Sequence, residues 1–294
     1  MNKNFINWLI FGALSIIWRS SFILMKISLD NHLGPYQIAS LRIVFAGLIL
    51  LPITIKNIRY IPRDRLLLVF ISGTLGSLLP AFLFCLAEEG IESSLAGTLN
   101  CLTPIFAIIT GAIFYKTRVS TNKIAGILIA FIGSILLLFS RGHLQENQQL
   151  IFISFVVLAA FLYGFNVNMV SKHLLMIPPL HLAAISLSLN AIPALLVLIF
   201  TSFFNLSFSN HQLLIAIGGA AFLGIIGTAF ATILFYTLVK RAGGIFASTV
   251  TYGIPFVAIA WGIFYGEVYY FKQVVCLLII LFGVYWGNKK TVKQ

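Results

Sequence analysis

Two arginines stand inside long apolar stretches: Arg19 in LSIIWRSSFILMK and Arg42 in IASLRIVFAGLILL. A guanidinium offers five donors in a planar fork that matches a carboxylate two bonds at a time. Placing one at the centre of a membrane helix costs about 2.5 to 3.5 kcal/mol on insertion scales, so each needs a partner. For Arg19 that partner is either an anionic group on a bound molecule, most simply a carboxylate, or the protein's own Glu88, Glu89 or Glu92. An outward-reaching side chain is the third solution. Around the arginines the apolar segments carry uncharged groups able to orient a small ligand: Asn100, Tyr163, Asn166, Thr249 and Tyr252, with Trp18 as a stacking surface. The same groups also serve as hydrogen bonds between helices.

Other chemistries are poorly represented. His32, His143, His173, His181 and His211 all fall in polar breaks or at segment ends, with no His-Glu-x-x-His pattern and no paired carboxylates inside a span. Cys85, Cys101 and Cys276 show no metal-ligand spacing. No catalytic residues, metal or cofactor are expected, and the chain is read as not being an enzyme.

The elements that position these residues follow from composition. Of 294 residues, 60% are hydrophobic and 9% charged, and the mean hydropathy is +1.03. A soluble domain has roughly 25% charged residues to coat it. The solvent is therefore lipid, and the long continuous apolar runs select helices over a barrel. Ten spans are predicted, near 5–25, 35–55, 66–87, 93–115, 122–139, 149–171, 180–203, 211–236, 244–265 and 270–288. With that alternation, 14 of the 19 Lys and Arg residues fall on one side, which puts both termini in the cytoplasm by the positive-inside rule. The net charge of +12 is thereby assigned to a lipid-facing cytoplasmic surface and not to nucleic-acid binding. At 1.5 Å per residue Arg19, Arg42 and Asn100 come to a common depth, about 10 Å below the outer surface.

Two segments echo each other. SLAGTLNCLTPIFAIITGAIFY from Ser94 and IFASTVTYGIPFVAIAWGIFYG from Ile245 align at an offset of 151, sharing Ala96/Ala247, Thr98/Thr249, Pro104/Pro255, Ala107/Ala258, Ile108/Ile259 and Gly111/Gly262. This pairs helix four with helix nine and predicts two five-helix repeats, residues 1–146 and 147–294. Five is odd, so the second repeat enters the membrane inverted relative to the first. Such repeats are a transporter architecture with the binding site where the halves meet. Pro80, Pro104 and Pro255 each remove a backbone donor within a span and are assigned as hinges. GVYWG, ending at Gly287, is a small-residue motif fit for packing on a neighbouring helix or a second copy, so a homodimer is possible.

The ten spans, Trp18, Arg42, the two proline-bearing helices and YGEVYYFKQ after helix nine resemble the EamA-type branch of the drug/metabolite transporter superfamily. The resemblance covers essentially the whole chain. It implies a basket-shaped all-α bundle with a central cavity built from helices one, three, four, six, eight and nine. It also implies a structural role for Arg42 and a substrate among small metabolites such as amino acids. Two positions depart from that pattern. Arg19 stands where members often have a small residue, and Lys116 where they often have glutamate, while Glu267 keeps the corresponding acid of helix nine. The expected function is a secondary transporter of an anionic or zwitterionic carboxylate-bearing metabolite, working by alternating access as a facilitator or exchanger, with proton coupling through an edge glutamate (Glu88, Glu89 or Glu267) as the lesser option. It would reside among the lipids of a bacterial cytoplasmic membrane. A channel is the alternative, and a membrane-embedded enzyme a more remote one.

Overall fold

The computed structural model describes residues 3–31, 33–140, 150–208, 210–264 and 271–288. Glu267, Arg141, His32 and His143 lie outside them. Among the described residues there are helices, turns and no strands. Seven helices are long and apolar enough to cross a membrane: α1 (Asn4–Asp30), α2 (Pro35–Tyr60), α3 (Arg63–Gly90), α4 (Ser93–Tyr115), α6 (Leu150–Leu174), α7 (Pro179–Phe200) and α8 (His211–Ala242). Three shorter apolar helices accompany them: α5 (Thr121–Leu137), α9 (Gly244–Ala260) and α10 (Phe271–Gly287). Their outer faces carry Leu48, Ile55, Leu67, Ile113, Ile132, Ile192 and Leu278 in the open, as an element solvated by lipid requires. The protein is an integral membrane protein.

The helices pack as neighbours through small residues and through hydrogen bonds that close polar groups away from hydrocarbon. α2 lies along α7, where Thr54 and Ser188 hydroxyls meet at 2.8 Å. Asn190 of α7 donates to the Phe70 carbonyl of α3 at 3.0 Å and accepts from Thr74 at 2.8 Å. Asn168 of α6 donates to the Ala107 carbonyl of α4 at 2.7 Å, and Thr110 donates back to the Gly164 carbonyl at 3.1 Å. These asparagines are helix ties. α5 and α10 form a close pair, since a methyl group at Gly126 would stand 2.5 Å from the Gly283 carbonyl oxygen. The GVYWG motif is thus spent on α5 of the same chain.

Winding is irregular at matched places. In α3 the α-helix gives way to a π-helical stretch at Thr74–Leu78 and resumes at Leu79. The offset of 151 carries 74–78 onto 225–229, inside the π-helical stretch Leu223–Phe230 of α8. In α4 a 3₁₀ turn occupies Asn100–Leu102, and its counterpart in α9 is the 3₁₀ stretch Thr249–Gly253. Pro80, Pro104 and Pro255 each sit in the first turn of the α-helix that follows such a stretch. Two buried apolar clusters fill the bundle, one around Phe22, Ile38, Phe84 and Leu223 and the other around Leu14, Val69, Ile185 and Val250; Trp18 packs against both.

Candidate central binding cavity

Between those clusters lies a cavity of about 80 Å³. Its walls come from α1 (Trp18, Ser21, Phe22, Met25), α3 (Gly76, Phe84), α4 (Asn100, Thr103), α6 (Tyr163, Asn166), α8 (Thr232, Phe235, Tyr236) and α9 (Ser248, Thr251), and α2 adds Arg42. Of the lining side chains only Arg42 carries a fixed charge. Its Nε donates to Thr228 Oγ1 at 3.1 Å and Nη1 lies 3.7 Å from Met25 Sδ. Among the described residues no carboxylate oxygen comes within 4 Å of it. The approach of α8 to this arginine depends on a glycine: a Cβ at Gly224 would fall 2.6 Å from the Arg42 carbonyl oxygen and 2.8 Å from Phe45 Cβ.

Opposite in chemical character is Asn166. It is 2% exposed, and among the described residues its Oδ1 has no hydrogen-bond partner. A buried acceptor left open costs about 1 to 3 kcal/mol unless something else satisfies it. Asn100 is already engaged as an acceptor, taking the Thr103 hydroxyl at 3.0 Å, which leaves its amide donors for other partners. Aromatic rings complete the wall. Phe84 meets Phe22 edge-on at 5.5 Å and stacks on Tyr163 at 6.1 Å, while Trp18 tilts on Phe235 at 5.5 Å. One cation, one open amide oxygen and a ring of apolar faces fit a small molecule bearing a carboxylate, a donor and an apolar body.

Of the residues singled out from sequence, Trp18, Asn100, Tyr163 and Asn166 line this cavity. Arg19 does not. One position along an α-helix turns a side chain by about 100°, and Arg19 borders a smaller crevice with Ser94, Thr98, Ile254 and Pro255. Thr249 and Tyr252 also point elsewhere. Both border a crevice against α5 and α10, and the fully buried Tyr252 donates its hydroxyl to the Ile127 carbonyl at 2.9 Å. The 3₁₀ winding explains this displacement. With three residues per turn, positions i and i+3 share a face. Thr249 and Tyr252 form one such pair, and Ser248 and Thr251 form the other, which faces the cavity. Arg42, assigned from the resemblance to structure, lines the cavity as well. Ser248, Thr251, Phe84, Phe235 and Tyr236 were not anticipated. A signal for Thr251 was available, because the repeat offset pairs it with Asn100.

The comparisons with known proteins agree with this architecture. The EamA-like transporter family matches residues 6–139 and 150–288. The chain belongs to that family. A protein of Archaeoglobus fulgidus described as an uncharacterized transporter is 29% identical over 279 residues, covering 95% of this chain and 97% of its own. A probable amino-acid metabolite efflux pump of Salmonella typhimurium is 26% identical, over 42% of this chain and 40% of its own. A probable terminal-alkyne amino-acid exporter of Streptantibioticus cattleyicolor is 25% identical over 49% of this chain and 48% of its own. A solved crystal structure covers 95% of both chains with a TM-score of 0.69 at 15% identity, which establishes the likeness of fold. This EamA-family chain is accordingly a membrane transporter by kinship, and its named relatives point away from enzymes.

Proposed function

We propose that this EamA-family protein carries amino acids, or closely related metabolites bearing a carboxylate, across the membrane by alternating access around the central cavity. Arg42 takes the carboxylate. The open Oδ1 of Asn166 accepts from the cargo's ammonium group, and Trp18, Phe22, Phe84, Tyr163 and Phe235 surround its side chain. Two of the named relatives are described as handling amino acids, which agrees with that choice. The observation that carries the reading is the pairing of one cationic side chain with one unsatisfied buried acceptor on the same cavity wall.

The access change is assigned to the matched irregular stretches of α3, α4, α8 and α9. There the backbone has lost its regular helical ladder, and Pro80, Pro104 and Pro255 serve as the hinge points. Two inverted halves, 1–146 and 147–294, rock about the site, with both termini on the lysine-rich cytoplasmic side.

Exchange of labelled for unlabelled amino acids in proteoliposomes tests the site. A charge-assisted hydrogen bond contributes about 1.5 to 3 kcal/mol, so Arg42→Ala should raise the half-saturating concentration roughly 10- to 100-fold. Arg42→Lys keeps the charge without the fork and should recover part of the loss. Unaltered exchange by Arg42→Ala would remove the carboxylate from this arginine.

A further inference from the structure

Glu88 lies in the last turn of α3, where the sequence suggests a residue at a membrane edge. The structure buries it. It is 1% exposed, and among the described residues neither carboxyl oxygen closes a hydrogen bond. One turn away on the same helix, roughly 6 Å along the axis, Phe84 forms part of the cavity wall.

Four polar or charged groups act on the Glu88 carboxyl, Arg42 the most weakly of them. α4 brings Ser93, which stands beside the carboxyl without closing a hydrogen bond, α1 brings Lys26 and Arg19, and α2 brings Arg42. Lys26 is half exposed and pairs with Asp30 at 3.6 Å. Cys85 and Glu89 are its neighbours on α3, and α6 brings Tyr163 toward Arg42 and Cys85. The acid therefore sits in a field of three cations, one of which lines the cavity.

The repeat shows that packing does not call for an acid at this place. Phe84 and Phe235, equivalent at the offset of 151, both line the cavity and fix the register of α3 against α8. In that register the counterpart of Glu88 is Val239, also 1% exposed. An apolar side chain suffices at one of the two places, and the other keeps a buried carboxyl with Ser93 beside it. Burying a charge is costly unless other charges offset it. Glu88 has two forms compatible with its site: a carboxylate balanced by the surrounding cations, or a neutral acid holding a proton. Which form prevails depends on whether those cations already carry another anion.

We propose that Glu88 is a proton-binding site linked to the cavity, so that a proton enters Glu88 as a carboxylate cargo docks on Arg42 and the two cross together. The proposal rests on the amino-acid reading above, and it replaces the expected facilitator or exchanger with a proton-coupled carrier. An incoming carboxylate claims the charge of Arg42 that otherwise helps balance Glu88. One proton from water then binds a carboxyl oxygen of Glu88, and the same proton returns to water on the far side when the cargo leaves. Only that O–H bond forms and breaks.

The test uses the full chain in liposomes enclosing a pH-sensitive dye, with the membrane potential clamped. The probe is an equimolar, carbon-14-labelled mixture of the twenty common amino acids. Wild-type protein should exchange this mixture for the same unlabelled mixture inside. Added outside to unloaded vesicles, the mixture should acidify the lumen. In Glu88→Gln, exchange should persist while acidification falls at least roughly tenfold. Glu88→Val copies the equivalent site of the other half, guards against a folding failure of the amide variant, and should behave in the same way. Acidification at the wild-type rate in a folded variant would overturn the proposal, as would wild-type exchange without any acidification. Wild-type protein that exchanges nothing would instead overturn the amino-acid reading beneath it, a failure visible before any variant is made.

Discussion

In α3 and α8 the same backbone interruption occurs at the same place, and a glycine in each allows another helix to close on it. A Cβ at Gly73 would meet the Ser186 carbonyl oxygen of α7 at 2.5 Å; one at Gly224, its equivalent at the offset of 151, would meet the Arg42 carbonyl oxygen of α2 at 2.6 Å. Phe84 and Phe235 repeat as cavity walls. Against this likeness the polar groups differ. Asn100 answers to Thr251 and Glu88 to Val239, while Arg42 is the contribution of α2 alone. The backbone device is common to α3 and α8, whereas the charge on the cavity wall comes from α2. A duplicated scaffold can supply the motion, and substitutions in a single copy can supply recognition without disturbing it.

The largest effect that separates the halves is expected at the glycines. Overpacking a tight contact costs about 1 to 3 kcal/mol and occasionally more, so Gly73→Val and Gly224→Val should both lower the yield of monodisperse protein in size-exclusion chromatography. In whatever protein folds, Gly224→Val should also abolish amino-acid exchange, because it displaces Arg42. Gly73→Val should leave exchange per folded molecule intact. Equal loss of specific activity in the two variants would break the distinction.

A smaller difference is expected at the paired phenylalanines. Phe84 is 4% exposed and meets both Phe22 and Tyr163, so its truncation should cost about 3 to 5 kcal/mol, the range for a buried aromatic. Phe235 is only partly buried, and Phe235→Ala should lower the thermal midpoint by about half as much. Thermal unfolding in detergent measures both.

The smallest effect is expected at Arg19, which borders a separate crevice. Arg19→Ala should change the half-saturating amino-acid concentration by less than about threefold, under 1 kcal/mol. A loss as large as that of Arg42→Ala would return Arg19 to the recognition site.

Much of the fold was legible from residue types. Apolar runs bounded by charge announced the helices, and the Pro104/Pro255 register announced where irregular winding recurs at the offset of 151. The site was legible only in part. Trp18, Asn100, Tyr163 and Asn166, singled out because polar or amphipathic groups in a hydrocarbon span need a reason to be there, line the cavity. Thr249 and Tyr252 border another crevice, because residue type within a span carries no phase and the chain there winds as a 3₁₀ turn. Arg19 drew attention over Arg42 because the resemblance implied a structural role for Arg42; burial cost is similar for both and does not say which way either side chain points.

The sequence by itself determined the solvent and the helical class, because hydropathy and spacing act locally along the backbone. Tertiary structure decided which arginine meets the cavity, that Asn166 keeps an open oxygen, and that Glu88 is enclosed rather than exposed at a helix end. Those outcomes depend on helix rotation and on the approach of residues far apart in the chain, and no local pattern encodes either.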